Sequence, residues 1–161
     1  MIQARTLDAF GRAKEYAFLL LKFRVRTEKE IIDRLKKKKF EEEIIGRVVQ
    51  FLKEKQFLDD EDFARAWIES RINKPTGLRR LRDELRQKGV APEIINGQLD
   101  RIKEHYSEQD IVAQAASAKL EKVKGVDPQK AKRRVYAYLL RRGFSPDVVI
   151  EVINQLKESS D

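Results

Sequence analysis

One eighteen-residue pattern occurs three times in the chain, and no other feature narrows the possible folds as much. It runs "LKKKKFEEEIIGRVVQFL" from Leu35, "LRQKGVAPEIINGQLDRI" from Leu85 and "LLRRGFSPDVVIEVINQL" from Leu139. Aligned, the copies put Phe40, Val90 and Phe144 in one column, Ile45, Ile95 and Val149 in a second, and Leu52, Ile102 and Leu156 in a third. The starts are 85 − 35 = 50 and 139 − 85 = 54 residues apart. A period near fifty belongs to a repeated supersecondary unit that covers its apolar face with its neighbours.

Along almost the whole chain the apolar residues recur three and four apart, as in Ile31 and Leu35, in Leu78, Leu81 and Leu85, and in Val149, Val152, Ile153 and Leu156. That is the helical period, and no convincing strand pattern competes with it. Helix starts agree. Thr27 with Glu30 and Ser107 with Asp110 fit a capping box, while Asp127-Pro128 and Ser145-Pro146 put a cap before a proline at the first helical position. Gly89 and Gly143 suit the left-handed residue that closes a helix, with Val90 or Phe144 folding back behind it. The chain therefore reads as all-α, in three tandem three-helix repeats. We place a lead at residues 1–9 and the repeats at 10–57, 58–106 and 107–161, with "NKPTG" (Asn73 to Gly77) a loop inside the second.

Charge suggests the kind of partner. Lys and Arg number 35 against 27 Asp and Glu, a formal net charge of +8, which favours an acidic partner such as nucleic acid or an acidic protein groove. The excess sits mostly in the first repeat, where residues 1–57 hold 15 basic and 9 acidic side chains. Cysteine is absent, which excludes a disulfide framework and suits a reducing compartment. The start "MIQARTLDAF" lacks an apolar stretch of signal-peptide length, and "AFLLL" is too short to cross a bilayer. A cytoplasmic protein without membrane contact is expected.

Enzyme readings find little support. The one histidine, His105, has no second histidine or cysteine to complete a metal or nucleophile site. The run Asp59 to Asp62 lacks the loop spacing and glycine turn of a hard-cation site and fits a helix cap and first turn better. Phosphate-binding, dinucleotide and nucleophile-elbow motifs are missing. No catalytic residue, metal or cofactor is expected. A helix, a glycine turn and a second helix also describe a helix-turn-helix, so a DNA-binding repressor is the alternative. Against it, the third helices open on Glu41 to Glu43, on Glu93 and on Asp147, which repel phosphate where a recognition helix must approach it.

Three columns carry a base in every repeat. They are Lys29, Arg79 and Arg133; Lys38, Lys88 and Arg142; and Lys53, Lys103 and Lys157. The last two columns fall in final helical turns, where positive charge favours the helix by a few tenths to about 1 kcal/mol. The run Lys36 to Lys39, with Lys38 in it, reads as one such exposed helix end, and Arg141 beside Arg142 belongs to another. Lys29 and Arg79 lie in first turns, where the helix dipole disfavours them, so helix stability does not explain that column. A solvated face and a partner-binding ladder both account for it. Arg82 and Arg86 extend the ladder at spacings of three and four.

"LDDEDFARAWIESR" from Leu58, "LRDELRQKGV" from Leu81 and "YLLRRGFSPDVVIEVI" from Tyr138 resemble, in register and in order, the RecX regulatory proteins of bacteria. The resemblance covers nearly the whole chain from about Ala13. It implies three tandem three-helix repeats in an elongated, curved body. It also implies binding in the helical groove of the RecA recombinase filament, restraint of RecA's ATP hydrolysis, strand exchange and repressor cleavage, and no catalytic residues. Single- or double-stranded DNA is a further partner open to the basic surface, and a monomer is expected. The sequence departs from the pattern at Lys39, which stands in the column of Gly89 and Gly143, and at Gln56, where the family commonly has glycine. A lysine in the left-handed region costs about 1 kcal/mol, which leaves a different closure open for the first turn.

Overall fold

Each second helix ends in the same turn, and that turn sets the register of the helix after it. In the computed structural model the N–H of Phe40 donates to Leu35 O at 3.3 Å, that of Val90 to Leu85 O at 3.1 Å and that of Phe144 to Leu139 O at 3.4 Å. Nested inside them are Lys39 to Lys36, Gly89 to Arg86 and Gly143 to Leu140, at 2.8, 2.9 and 2.9 Å. This pair of bonds satisfies carbonyls that the helix end leaves open. It requires a left-handed residue, and φ is 82° at Gly89 and 83° at Gly143. Lys39 adopts it too, at φ 62°, so the first turn closes as the others do despite its side chain. Gln56, at φ 58°, closes the third helix of the first repeat in the same way, with Phe57 N–H on Leu52 O at 2.8 Å.

These two positions carry strain that glycine would release. Lys39→Gly and Gln56→Gly are each expected to stabilise the fold by about 0.5 to 1 kcal/mol, the left-handed penalty less the extra freedom glycine gives the unfolded chain. Urea midpoints should rise at an unchanged slope. Unaltered midpoints would mean that the turn relaxes without strain.

The structure describes residues 2–158, with side chains from 8 to 156. Among these residues there are nine helices: α1 (Ile2–Phe23), α2 (Glu28–Lys37), α3 (Glu42–Glu54), α4 (Asp60–Ile72), α5 (Leu78–Gln87), α6 (Pro92–Lys103), α7 (Glu108–Glu121), α8 (Pro128–Arg141) and α9 (Pro146–Glu158). The segment read as a lead is therefore helical from Ile2. Caps stand where the residue types place them. Thr27 and Glu30 form a reciprocal capping box on α2. Ser107 accepts from Asp110 N–H, and Asp127, before Pro128, accepts from Lys130 N–H. Asp59 accepts the N–H groups of Glu61 at 2.8 Å and Asp62 at 3.1 Å, so the acidic run is the start of α4. The loop "NKPTG" separates α4 from α5.

The helices gather into two compact units that do not coincide with the sequence repeats. One holds the chain as far as Trp67 together with Leu85–Asn96, and the other holds Ile68–Glu84 together with the chain from Gly97 onward. In the first, α1, α2 and α3 pack on one another around Ala13, Ala17, Ile31, Leu35, Ile45, Val48 and Leu52. In the second, α7, α8 and α9 do the same around Val112, Ala116, Val135, Leu139, Phe144 and Val149. Of the columns that define the repeat, Ile45, Leu52, Phe144 and Val149 lie in these two cores, with Phe40 and Leu156 packed against them. Burial of such side chains contributes roughly 1.5–3 kcal/mol apiece, which is what holds helices of ten to fourteen residues that would be marginal alone.

Candidate partner-binding surface

Both compact units contain the same joint, in which the start of one repeat's second helix meets the closing turn of the next repeat. In the first unit the fully buried Thr27 donates its hydroxyl to Lys88 O at 2.6 Å. Glu30, three residues on, accepts Lys88 Nζ at 2.9 Å and both terminal nitrogens of Arg24, each at 2.9 Å. Burial pushes the Glu30 carboxyl up, but hydrogen bonds from Arg24 and Lys88 outweigh it and hold the group at about 2. Lys88 Nζ also lies 5.1 Å above the Trp67 ring. Another link in this unit runs from Glu28 N–H to Asp60 Oδ1 at 2.9 Å, and burial pushes the Asp60 carboxyl up.

In the second unit the corresponding donor is main chain. Gly77, fifty residues after Thr27, donates its N–H to Arg142 O at 2.8 Å, and Arg142 stands in the column of Lys88. Arg80 donates through Nη1 to Arg141 O at 3.3 Å and through Nε to Glu84 at 2.9 Å. Tyr106 braces the loop with a hydroxyl bond to Thr76 O at 2.9 Å, and burial and the Glu108 charge push its phenol up. Glycine is needed at both turns. A Cβ on Gly89 would collide with the Lys29 stem, and one on Gly143 with the Arg80 main chain and Cβ.

The predicted basic residues divide accordingly. Lys29 is exposed, pairs with Asp33 at 3.1 Å and lays its stem along Gly89. Arg79 and Arg133, in the second unit, are exposed with no ion pair among the described residues, as is Arg86, in the first. Arg82 is half-buried and adds to the pull that Lys103 exerts on the Asp100 carboxyl, which is lowered by the Lys103 hydrogen bond first and by Arg82 last. Arg79, Arg82 and Arg86 follow one another along α5, and Lys29 and Arg133 lie on α2 and α8.

The positions read as secondary do local work. Lys38 Nζ is 5.3 Å above Tyr16, Lys88 is held by Glu30 and Trp67, and the Arg142 guanidinium lies 5.7 Å from the Tyr138 ring. A base over an aromatic ring thus recurs, with Tyr16 on α1 and Trp67 on α4. Arg142 meets a ring of its own helix instead, Tyr138 on α8. Arg141 is exposed. Lys53 pairs with Glu28 at 2.9 Å and Lys103 with Asp100 at 2.7 Å, while the Lys157 side chain lies outside the described residues. Reading single columns overlooked Arg80 and Trp67. Carrying the fifty-residue offset on from Thr27 sets Glu30 against Arg80, whereas it sets Trp67 against Ala17, so no signal in the sequence pointed to Trp67.

Residues 13–52, 59–97 and 107–153 match, in that order, the first, second and third three-helix domains of RecX. The chain belongs to the RecX family. The regulatory protein RecX of Clostridium botulinum (strain Alaska E43 / Type E3) is 33% identical over 150 residues, which span 92% of this chain and 70% of the relative. That of Mycobacterium sp. (strain JLS) is 35% identical over 147 residues, 88% of this chain and 80% of the relative. The crystal structure of RecX from Lactobacillus salivarius superposes with a TM-score of 0.81 at 20% identity, covering 94% of this chain and 98% of that one. A second RecX crystal structure gives 0.80 at 24% identity, covering 95% and 76%. The RecX fold, three tandem three-helix repeats, is the fold described above, and the relatives are named as regulatory proteins. Among the described residues of this RecX chain, no cluster of three or more His, Asp or Glu could hold a metal ion, and no helix is long and apolar enough to cross a membrane.

Proposed function

We propose that this RecX-family chain is a non-catalytic regulator that binds the filament of a RecA-type recombinase and restrains its ATP hydrolysis, strand exchange and repressor cleavage. The observation that carries the reading is the match of all three RecX three-helix domains, in order, along the chain. The repeats at 10–57, 58–106 and 107–161 would each present equivalent surface to neighbouring filament subunits, with the protein acting as a monomer in the cytoplasm beside the recombinase. The exposed bases Arg79 and Arg133, with Arg82, in the second unit and Arg86 in the first are the side chains we assign to the partner, and contact with the bound DNA is open to the same side chains. Lys29 is a weaker member, because its ammonium is already engaged by Asp33.

A sequence-reading DNA repressor is less well supported. Helices α3, α6 and α9 carry Glu42 and Glu43, Glu93 and Asp147 in their first turns, and α3 buries Ile44, Ile45, Val48, Val49 and Leu52. Phosphates would meet negative charge at the helix ends where recognition begins.

The test is DNA-dependent ATP hydrolysis by the same organism's recombinase. The rate should fall as the protein is added to saturation, and an unchanged rate removes the reading. The double variant Arg79→Glu, Arg133→Glu should inhibit about tenfold less tightly while melting as the parent does, since both side chains are exposed. Lys53→Glu with Lys103→Glu, an equal change of charge, should have little effect beyond general screening. Equal loss in both doubles would assign the attraction to bulk charge.

A further inference from the structure

The face that α1 and α3 share in the first unit carries rings where the other repeats carry polar side chains. Phe51 stands in the column of Arg101 and Gln155, both exposed, so the repeat does not require a ring there. Phe51 meets Phe10 and Phe18 of α1, and Phe18 meets the exposed Phe57, with centroids 6.4, 6.3 and 5.0 Å apart and every pair edge to face. Two cations lie on this chain of rings. Lys14 Nζ is 5.6 Å from the Phe10 centroid and 5.0 Å from that of Phe51, and the exposed Arg47 guanidinium is 4.8 Å from Phe10. Neither has a carboxylate partner among the described residues. A cation over a ring is an ordinary surface contact and marks no site by itself, but a cavity lies beside these. Phe10, Gly46, Arg47, Gln50, Phe51 and Glu54 line an open space of about 420 Å³, the size of a small-ligand site. Gly46 keeps it open. A Cβ there would touch nothing within 4 Å, so packing does not exclude a side chain, and the same column holds Asn96 and Ile150. Glycine inside a helix is destabilising, and the space beside Phe10 and Phe51 is what its bare position provides.

We propose that this groove binds single-stranded nucleic acid directly, with bases against the phenylalanine rings and phosphates on Lys14 and Arg47. A chain of rings with unpaired cations on it fits a ligand that brings a flat ring with each negative charge. Every nucleotide of a single strand does so, whereas an acidic side chain offers charge alone and a duplex keeps its base faces stacked on one another. A phosphate holds a cation more strongly than a ring does, so binding draws Lys14 and Arg47 off the faces they cover and frees those faces for bases. Glu54, the one carboxylate of the lining, accepts Gln50 Nε2 at 2.8 Å and stands two turns, about 10 Å, along α3 from Arg47. Phosphate at Arg47 is therefore clear of it, and the amide and carboxylate are left for the polar edge of a base. The site is independent of the filament reading and separate from Arg79 and Arg133, which belong to the second unit.

The test is fluorescence polarisation of the full chain, without recombinase, against three labelled probes: oligothymidylate of about ten nucleotides, a duplex of the same length and a hexa-aspartate peptide. Gly46→Gln fills the cavity while altering neither ring nor charge. It should weaken the single strand about tenfold and melt no lower than the parent. Phe51→Gln, the residue type that the third repeat carries, should weaken it to a similar extent at every salt concentration and leave the slope of log affinity against log salt unchanged. Arg47→Gln should flatten that slope by about 0.7, the share of one phosphate contact on a single strand. Lys124→Gln, which removes an exposed charge of the second unit, should change affinity by less than about twofold. If Phe51→Gln unfolds, Gly46→Gln carries the decision alone. A parent that does not bind the single strand, or binding that Gly46→Gln leaves intact, would remove the site. Equal weakening by Lys124→Gln would reduce the effect to bulk charge. A duplex weakened as much as the single strand would mean that only the backbone is held, and stacking would be overturned. Dependence on Gly46 and Phe51 for the peptide alone would make the groove a protein site and overturn the assignment.

Discussion

Gly77→Ala is expected to destabilise the second compact unit by about 3 kcal/mol or more. A methyl group there would overlap Gly143 C, Gly143 O and Phe144 N, and none of these is the end of a flexible side chain. Either the loop moves away, with loss of the 2.8 Å bond from Gly77 N–H to Arg142 O, or the turn that seats the fully buried Phe144 is displaced. Gly97→Ala makes a direct control. Gly97 lies within α6 with open space where a methyl group would go, so alanine there should stabilise by roughly 0.5 to 1 kcal/mol. Thermal or urea unfolding of both variants decides it, and Gly77→Ala melting as the parent does would show that the joint yields without cost.

Glu30→Gln should cost about 1 to 3 kcal/mol at neutral pH, because it leaves the half-buried Lys88 and the Arg24 fork facing a neutral amide. The loss should also be acid-sensitive. The Glu30 carboxyl is depressed from an ordinary 4.5 to about 2, so its contribution is complete above about 4.5 and is lost as the pH falls from there toward 2. The stability gap between parent and Glu30→Gln should therefore narrow across that window. The protein has one tryptophan, Trp67, and Lys88 Nζ sits 5.1 Å above it, so intrinsic fluorescence reports the joint directly. A gap that stays constant from pH 7 to pH 3 would mean that Glu30 acts by packing and not by charge.

Much of the architecture was legible in the sequence because its signals are local. Capping residues act within three positions, so Thr27, Ser107 and Asp127 announced their helices, and the columns of Leu, Ile and Val marked the buried faces. The turn at Lys39 was harder to read, since a local penalty near 1 kcal/mol is overridden once Leu35 and Phe40 are seated in the core. Contacts between repeats were not legible at all. Whether Lys29 is free or held depends on Asp33 and on the absence of a side chain at Gly89, sixty residues away, and a charge column carries no record of either. The same blindness hid Arg80, whose bond to Arg141 O crosses a joint that periodicity cannot show.

The two joints also leave different freedom to sequence change. The first is written in side chains: Thr27, Glu30 and Lys88 can each be exchanged for a weaker or stronger partner while the main chain keeps its course. Its strength can drift by degrees through viable intermediates. The second is written in main chain, from Gly77 N–H to the Arg142 carbonyl, and its requirement of residue 77 is that no side chain be present. That condition is met or it is not. Gradual change is thus open to the side-chain bonds of the first joint and closed to the Gly77 contact of the second.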